Sequence, residues 1–171
     1  NLIFSPHYKQ HTSRYGIYFN LADSKTKLPE NEEDKYLVID SLPVGNDQYE
    51  FSHNMKCENS TSGNFKGLMF RDAHSDGWFS YDMAVDNTTT NYLKVKYFSG
   101  DVGRKFKIFV DDELLAHVTL ENPHPNNFYD IYYEIPQEMI GDKDKITVKF
   151  QAETGSFAGG IFDRLSIVKE K

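Results

Sequence analysis

From Tyr36 onward the chain alternates apolar and polar side chains in short bursts, the period-two signature of half-buried strands. In NYLKVKYF, Leu93, Val95 and Tyr97 share one face while Lys94 and Lys96 take the other. The segments YLVIDSL, QYEFSHNM, FKGLMFRD, GWFSYDMAV, NYLKVKYFS, RKFKIFVDD, ELLAHVTLE, NFYDIYYEI, DKITVKFQAE and GIFDRLSIVK each predict a strand. Turn formers separate them at 99–103, 111–113 and 121–127. IFVDDELLAHVTL predicts a hairpin, because Asp111 and Asp112 tolerate positive φ better than most residues. Only PQEMIGDK carries helical marks, with Pro136 suited to a first turn and Gly141 to a stop. The pattern predicts an all-β chain, two antiparallel sheets packed face to face as a jelly-roll β-sandwich with at most a short helical turn.

The first 35 residues read differently. SRYGIYF predicts a strand without an obvious partner nearby, and 20–35, NLADSKTKLPENEEDK, is charged, poor in apolar residues and broken by Pro29. Residues 1–35 are therefore expected to be the tail strand of a preceding domain plus a polar connector, and 36–171 the sandwich domain. Composition narrows the functions. A net charge of −7, with scattered lysines and arginines, offers no field for nucleic acid. No apolar run approaches membrane-spanning length, and the first residues do not resemble an export signal, which is expected to lie outside this chain. The single cysteine, Cys57, cannot form an internal disulfide.

Candidate chemistry concentrates in 70–83, FRDAHSDGWFSYDM, which holds the only tryptophan. Asp76-Gly77 is a turn signal, so DAHSDG is expected to turn the chain and WFSYDM to start a strand. In that strand Trp78, Ser80 and Asp82 point one way and Phe79, Tyr81 and Met83 the other. One face must be core, which leaves two assignments for Trp78, core residue or sugar-stacking platform. For carbohydrate binding, Arg71, Asp72, Trp78, Tyr97 and Tyr132 are the candidates, with Tyr92 and Tyr129 beside them. A structural calcium, suggested by fold analogy, would draw oxygen ligands from Asp40, Glu50, Asp72 and Asp163. Cys57 and His53 sit about 13 Å apart if both lie on one strand, which does not suit zinc. The glycines of SGDVGRKF and TGSFAGGIF precede strands, not the helix that a phosphate loop needs. A self-contained glycoside hydrolase would need two carboxylates facing each other across a cleft, and no motif assembles such a pair.

Taken together and in order, HTSRYGIYF, IDSLPVGNDQYEFSHN, ENSTSGNFKG, FRDAHSDGWFSYDM, VKYFSGDVGRKFKIFVDDELLA and QAETGSFAGGIFDRLSIV resemble the C-terminal β-sandwich region of bacterial proteins related to glycoside hydrolase family 127, which includes β-L-arabinofuranosidases. In that family catalysis belongs to an upstream helical barrel with a metal-bound cysteine nucleophile; Cys57 does not match its motif. The resemblance implies a galactose-binding-like accessory sandwich, exported with its parent to the periplasm, cell surface or medium. Its expected partner is the parent's catalytic domain, which it would support structurally. The alternative is a carbohydrate-binding module recognising an oligo- or polysaccharide of plant type.

Overall fold

The structure, a computed structural model, describes residues 4–11, 14–21 and 35–171. The chain divides into two compact units, 1–35 and 36–171. In the first, β1 (Phe4–His11) and β2 (Arg14–Leu21) pair antiparallel, with Tyr8 opposite Ile17. The strand in SRYGIYF thus finds its partner in the residues just before it, whose polar run FSPHYKQH gives no alternating signal. The expected connector lies mostly outside the described residues.

The second unit contains β3 (Tyr36–Pro43), α1 (Asp47–Ser52), β4 (Lys56–Phe65), β5 (Leu68–Ala84), β6 (Asn91–Phe98), β7 (Lys105–Val110), β8 (Glu113–Thr119), β9 (Phe128–Ile135), α2 (Gln137–Ile140), β10 (Lys145–Ala152), β11 (Phe157–Phe162) and β12 (Arg164–Glu170). One sheet has the order β11-β5-β10-β7-β8, with β4 also paired along β5; the other has the order β3-β12-β6-β9. Every pairing is antiparallel. This is the expected all-β sandwich. Its core interleaves Phe79, Tyr81, Phe106, Ile108, Val148 and Phe150 from the larger sheet with Leu93, Val95, Tyr97, Leu165 and Ile167 from the smaller. The alternation that predicted the strands is the alternation that buries these side chains. The β7–β8 hairpin turns at Asp111 and Asp112 with φ of 47° and 68°, as its sequence predicts.

Three local expectations are corrected. QYEFSHNM does not form a strand: Asp47–Ser52 is a helix, in which Phe51 stands 86% exposed while Glu50 is buried. Here a tertiary contact of one carboxylate outweighs the apolar pattern. FKGLMFRD is split by a tight turn at Lys66-Gly67, both with positive φ, so that β4, which has no apolar alternation, hydrogen-bonds to β5. Finally, DAHSDG does not reverse the chain. It lies inside the 17-residue β5, where Asp76 adopts φ 61° and the register against β4 jumps from Glu58↔Trp78 to Ser60↔Ala73. The Asp-Gly signal serves a bulge that bends one strand, and β5 pairs with β11 before the bend and with β10 after it.

Glu50 spans that bend. Its Oε1 accepts hydrogen bonds from Arg71 Nε at 2.7 Å, the Tyr81 hydroxyl at 2.6 Å and the Gly45 N–H at 2.9 Å, while Oε2 accepts from Arg71 Nη2 at 2.7 Å. Glu50, Arg71 and Tyr81 are all buried. Burial alone would push the Glu50 carboxyl up, but Arg71, Tyr81 and the Gly45 N–H together hold it below its ordinary value.

Removing one member of a buried ion pair strands the other. Glu50→Gln is expected to lower stability by about 3–5 kcal/mol in urea denaturation. Because the folded carboxyl lies below its unfolded value of 4.5, its contribution is present above that pH and is lost as pH falls through the folded value. The wild type should lose stability in acid, with a flatter acid limb in Glu50→Gln. At the bulge, a Cβ on Gly77 would lie 2.5 Å from the His74 carbonyl oxygen and 2.8 Å from those of Asn59 and Glu58. Gly77→Ala should therefore cost about 1–3 kcal/mol by the same measurement.

Candidate saccharide pocket

Beside the main core a second aromatic cluster gathers where the β4–β5 turn, the 99–104 loop and the end of β11 meet. The ring centre of Phe162 lies 5.0 Å from that of Phe128, 5.6 Å from Phe70 and 6.3 Å from both Phe65 and Phe98. Phe65 packs edge-on against Phe98 at 5.0 Å and stays 40% exposed. Two glycines keep space between these rings. A Cβ on Gly100 would sit 2.3 Å from the Phe98 ring, and one on Gly160 would sit 2.9 Å from that of Phe162. The result is a cavity of about 340 Å3 whose lining includes Phe65, Phe70, Phe98 and Phe162.

The other side chains of the lining, Asp72, Asp101 and Arg104, are charged. Arg104 Nη2 lies 2.8 Å from Asp101 Oδ1, and Arg104 Nη1 lies 3.7 Å from Asp72 Oδ2. Asp72 also accepts a 2.7 Å hydrogen bond from the Thr61 hydroxyl, and His74 Nε2 stands 3.6 Å from the same oxygen. Phe157 covers the guanidinium from one side, 4.9 Å from ring centre to Cζ. Asp101 Oδ2 is shut from water without a well-formed hydrogen bond, and the Gly160 N–H dipole acts on the carboxyl. Burial pushes the Asp101 carboxyl above its ordinary value, against the pull of Arg104 and of that N–H. One guanidinium therefore serves two carboxylates in a space bounded by benzyl rings.

The residues singled out from sequence fall in several places. Asp72 lines the cavity. Its neighbour Arg71 is buried in the Glu50 ion pair, with Nη1 also donating to Ser60 Oγ at 3.1 Å, so it has no hydrogen-bonding edge to offer a sugar. Tyr97 is fully buried, its hydroxyl 3.2 Å from that of Tyr133, and presents no stacking face. Tyr132 lies on the outer face of the smaller sheet, stacked on Tyr36 with ring centres 4.6 Å apart. Tyr92 meets Tyr36 edge-on at 5.6 Å. Trp78 is half-buried on the outer face of the larger sheet, opposite the core face of Phe79 and Tyr81, and its Nε1 faces Glu58 Oε2 at 3.4 Å. It borders an open groove of about 420 Å3 with Lys56, Ser80, Thr147, Lys149 and the Asp111-Asp112 turn.

The four candidate calcium ligands serve four separate networks. Asp40 accepts the Ala84 N–H at 2.7 Å and pairs with His53 at 3.2 Å. Glu50 holds Arg71, Asp72 faces Arg104, and Asp163 occupies a positive-φ turn between β11 and β12. Among the described residues no three His, Cys, Asp or Glu side chains gather as a metal site. Cys57 is exposed on β4. Sequence reasoning missed Asp101, Arg104 and Phe65. The first two sit among glycines and turn formers in SGDVGR, where an Asp and an Arg three residues apart look like any solvated turn.

Residues 35–165 match the model of a family described as a family of unknown function, DUF6805. The chain belongs to the DUF6805 family. No curated protein matches it. Among solved structures this DUF6805 domain is similar to a family 35 carbohydrate-binding module from an environmental isolate, with 11% identity and a TM-score of 0.53 over 77% of this chain and 96% of that one. It is also similar to a family 6 carbohydrate-binding module of Cellvibrio mixtus lichenase 5A, solved with cellotriose, with 9% identity and a TM-score of 0.52 over 79% of this chain and all, 100%, of that one. A third similarity is to a family 115 4-O-methyl-α-glucuronidase with specificity for decorated arabinogalactans, at 9% identity and a TM-score of 0.58, covering 89% of this chain and 20% of the enzyme. At these identities the likeness is one of fold: the DUF6805 sandwich has the jelly-roll architecture of carbohydrate-binding modules.

Proposed function

We propose that residues 36–171 form a non-catalytic carbohydrate-binding module that takes a sugar residue into the cavity between the phenylalanine cluster and the Asp72–Arg104–Asp101 wall. The observation that carries this reading is that one cavity is lined by four phenylalanines together with Asp72, Asp101 and Arg104. A sugar ring has the matching pair of surfaces: its C–H face is apolar and its rim is a ring of hydroxyls. The C–H face packs on benzyl rings, here Phe65 first because it is partly exposed, and the hydroxyls exchange hydrogen bonds with carboxylate and guanidinium. The fold it shares with modules of families 35 and 6, one of them solved with cellotriose, supports the class of ligand. The resemblance of the sequence to the C-terminal region of family 127-related proteins supports a place within a larger secreted carbohydrate-active protein, beside a catalytic domain.

A hydrolytic role for the cavity's two carboxylates has one feature in its favour, the raised pKa of Asp101, as a general acid requires. The geometry opposes it. Arg104 occupies the position between the carboxylates that a glycosidic oxygen would need, and Asp101 Oδ2 is closed to solvent.

Affinity electrophoresis of the chain through gels containing arabinogalactan, galactan, laminarin or lichenan tests the reading. At least one glycan should retard the protein. Arg104→Ala and Phe65→Ala should each weaken that retardation about tenfold or more while thermal melts still show a folded domain. Trp78→Ala should leave it within about twofold. The opposite ranking would move the site to the outer groove of the larger sheet, and no retardation by any glycan would remove the reading.

A further inference from the structure

Within the saccharide pocket, and resting on that reading of it, the charge arrangement points to a ligand class: we infer that the cavity accepts uncharged sugar residues and rejects uronates. Recognition of a sugar carboxylate needs a cation whose charge is not already offset by neighbouring carboxylates. The lining offers one cation, Arg104, and two carboxylates already flank its charge, Asp101 Oδ1 at 2.8 Å from Nη2 and Asp72 Oδ2 at 3.7 Å from Nη1. Its flat face is covered as well, by Phe157.

The nearest other cations do not fill the gap. Lys66 donates to the Oδ1 and the carbonyl oxygen of Asn126 and lies over the Phe98 ring at 4.6 Å, and it is not among the cavity's lining residues. His74 is not among the lining residues either; it stands 3.6 Å from Asp72 Oδ1 and packs on Phe157. The lining therefore sets two carboxylates against one guanidinium. An entering carboxylate would meet that excess where hydrocarbon rings restrict solvent screening. A hydroxyl in the same position donates to a carboxylate, so the wall that repels a uronate binds its neutral counterpart.

The test compares laminarin, galactan and lichenan with the same polymers after oxidation of their primary hydroxyls to carboxylates, by isothermal titration calorimetry at pH 7.5. The chain as a whole carries a charge of −7, so general repulsion of polyanions has to be separated from the local effect. Two variants with the same change of net charge do this. Asp101→Asn keeps an oxygen for Arg104 and removes the local excess, whereas Asp142→Asn removes an exposed charge in the α2–β10 loop. The wild type and Asp142→Asn should prefer the neutral form of the bound polymer by at least about tenfold, and Asp101→Asn should reduce that preference to about threefold or less. Equal or tighter binding of the oxidised polymer by the wild type overturns the inference while leaving the saccharide reading intact. A preference that shrinks equally in both variants also overturns it, because the discrimination then belongs to net charge. Failure of every neutral and oxidised polymer to bind removes the saccharide reading and this inference with it.

Discussion

The carboxylate of Glu50 holds one strand by both of its halves. Arg71 reaches it from the stretch of β5 before the bulge and Tyr81 from the stretch after, so a single buried group fixes how far the strand bends between them. That bend decides the rest. Before it, alternation turns Phe70 and Asp72 toward the cavity while Arg71 points to α1; after it, Phe79, Tyr81 and Met83 enter the inter-sheet core. A buried ion pair is weak support for net stability, since hydrophobic replacements often equal it. What this one contributes is geometry. A hydrocarbon pair would pack in the same volume over a range of bend angles, whereas a bidentate guanidinium and a phenol on the same carboxylate satisfy their hydrogen bonds in only a narrow one.

The cavity follows from the same separation of tasks. Its aromatic wall is a satellite cluster centred on Phe162, distinct from the core and placed where three connections converge. The sheets provide rigid ends; the turns between them provide chemistry. Lys66 in the β4–β5 turn donates to Asn126 in the β8–β9 loop, tying together two connections that have no backbone pairing between them, and its ammonium lies over the Phe98 ring. A turn of two residues, Lys66-Gly67, can only present Phe65 beside the opening if β4 and β5 keep their register, which again returns to the strand that Glu50 holds.

The sandwich was legible because burial and strand period reinforce each other: nearly every core side chain sits at an alternating position that the sequence displays, and the Asp111-Asp112 hairpin follows from local torsional preference alone. Where the reading failed, a long-range contact had displaced a local signal. QYEF alternates like a strand, yet its one buried member is the charged one, and no local pattern announces that Glu50 has a partner 21 residues away. Asp76-Gly77 carries a turn signal and Asp76 does adopt positive φ; whether such a residue reverses a chain or bends it depends on what pairs on either side. Asp72 was visible as a candidate because it stands next to aromatics. Asp101 and Arg104 were not, since their neighbours Gly100 and Gly103 signal only a turn, and three of the four phenylalanines that share their cavity, Phe65, Phe70 and Phe162, are about 30 to 60 positions away.

Trp78 shows why exposure alone does not identify a binding residue. Its ring lies on an outward sheet face, but the side chains around it, Lys56, Lys149, Asp111, Asp112 and Glu58, are charged and mostly exposed, and two of them already pair with each other: Lys149 with Asp112 at 3.2 Å. Ordering such groups around a ligand costs side-chain entropy that the cavity at the other site has already lost in folding. There the phenylalanines are packed on one another, Asp101 is held by Arg104, and Arg104 is held by Asp101, Asp72 and Phe157. Preorganisation, more than the size of any one aromatic residue, is what separates a site from a surface. On that criterion the larger groove beside Trp78 ranks below the smaller cavity.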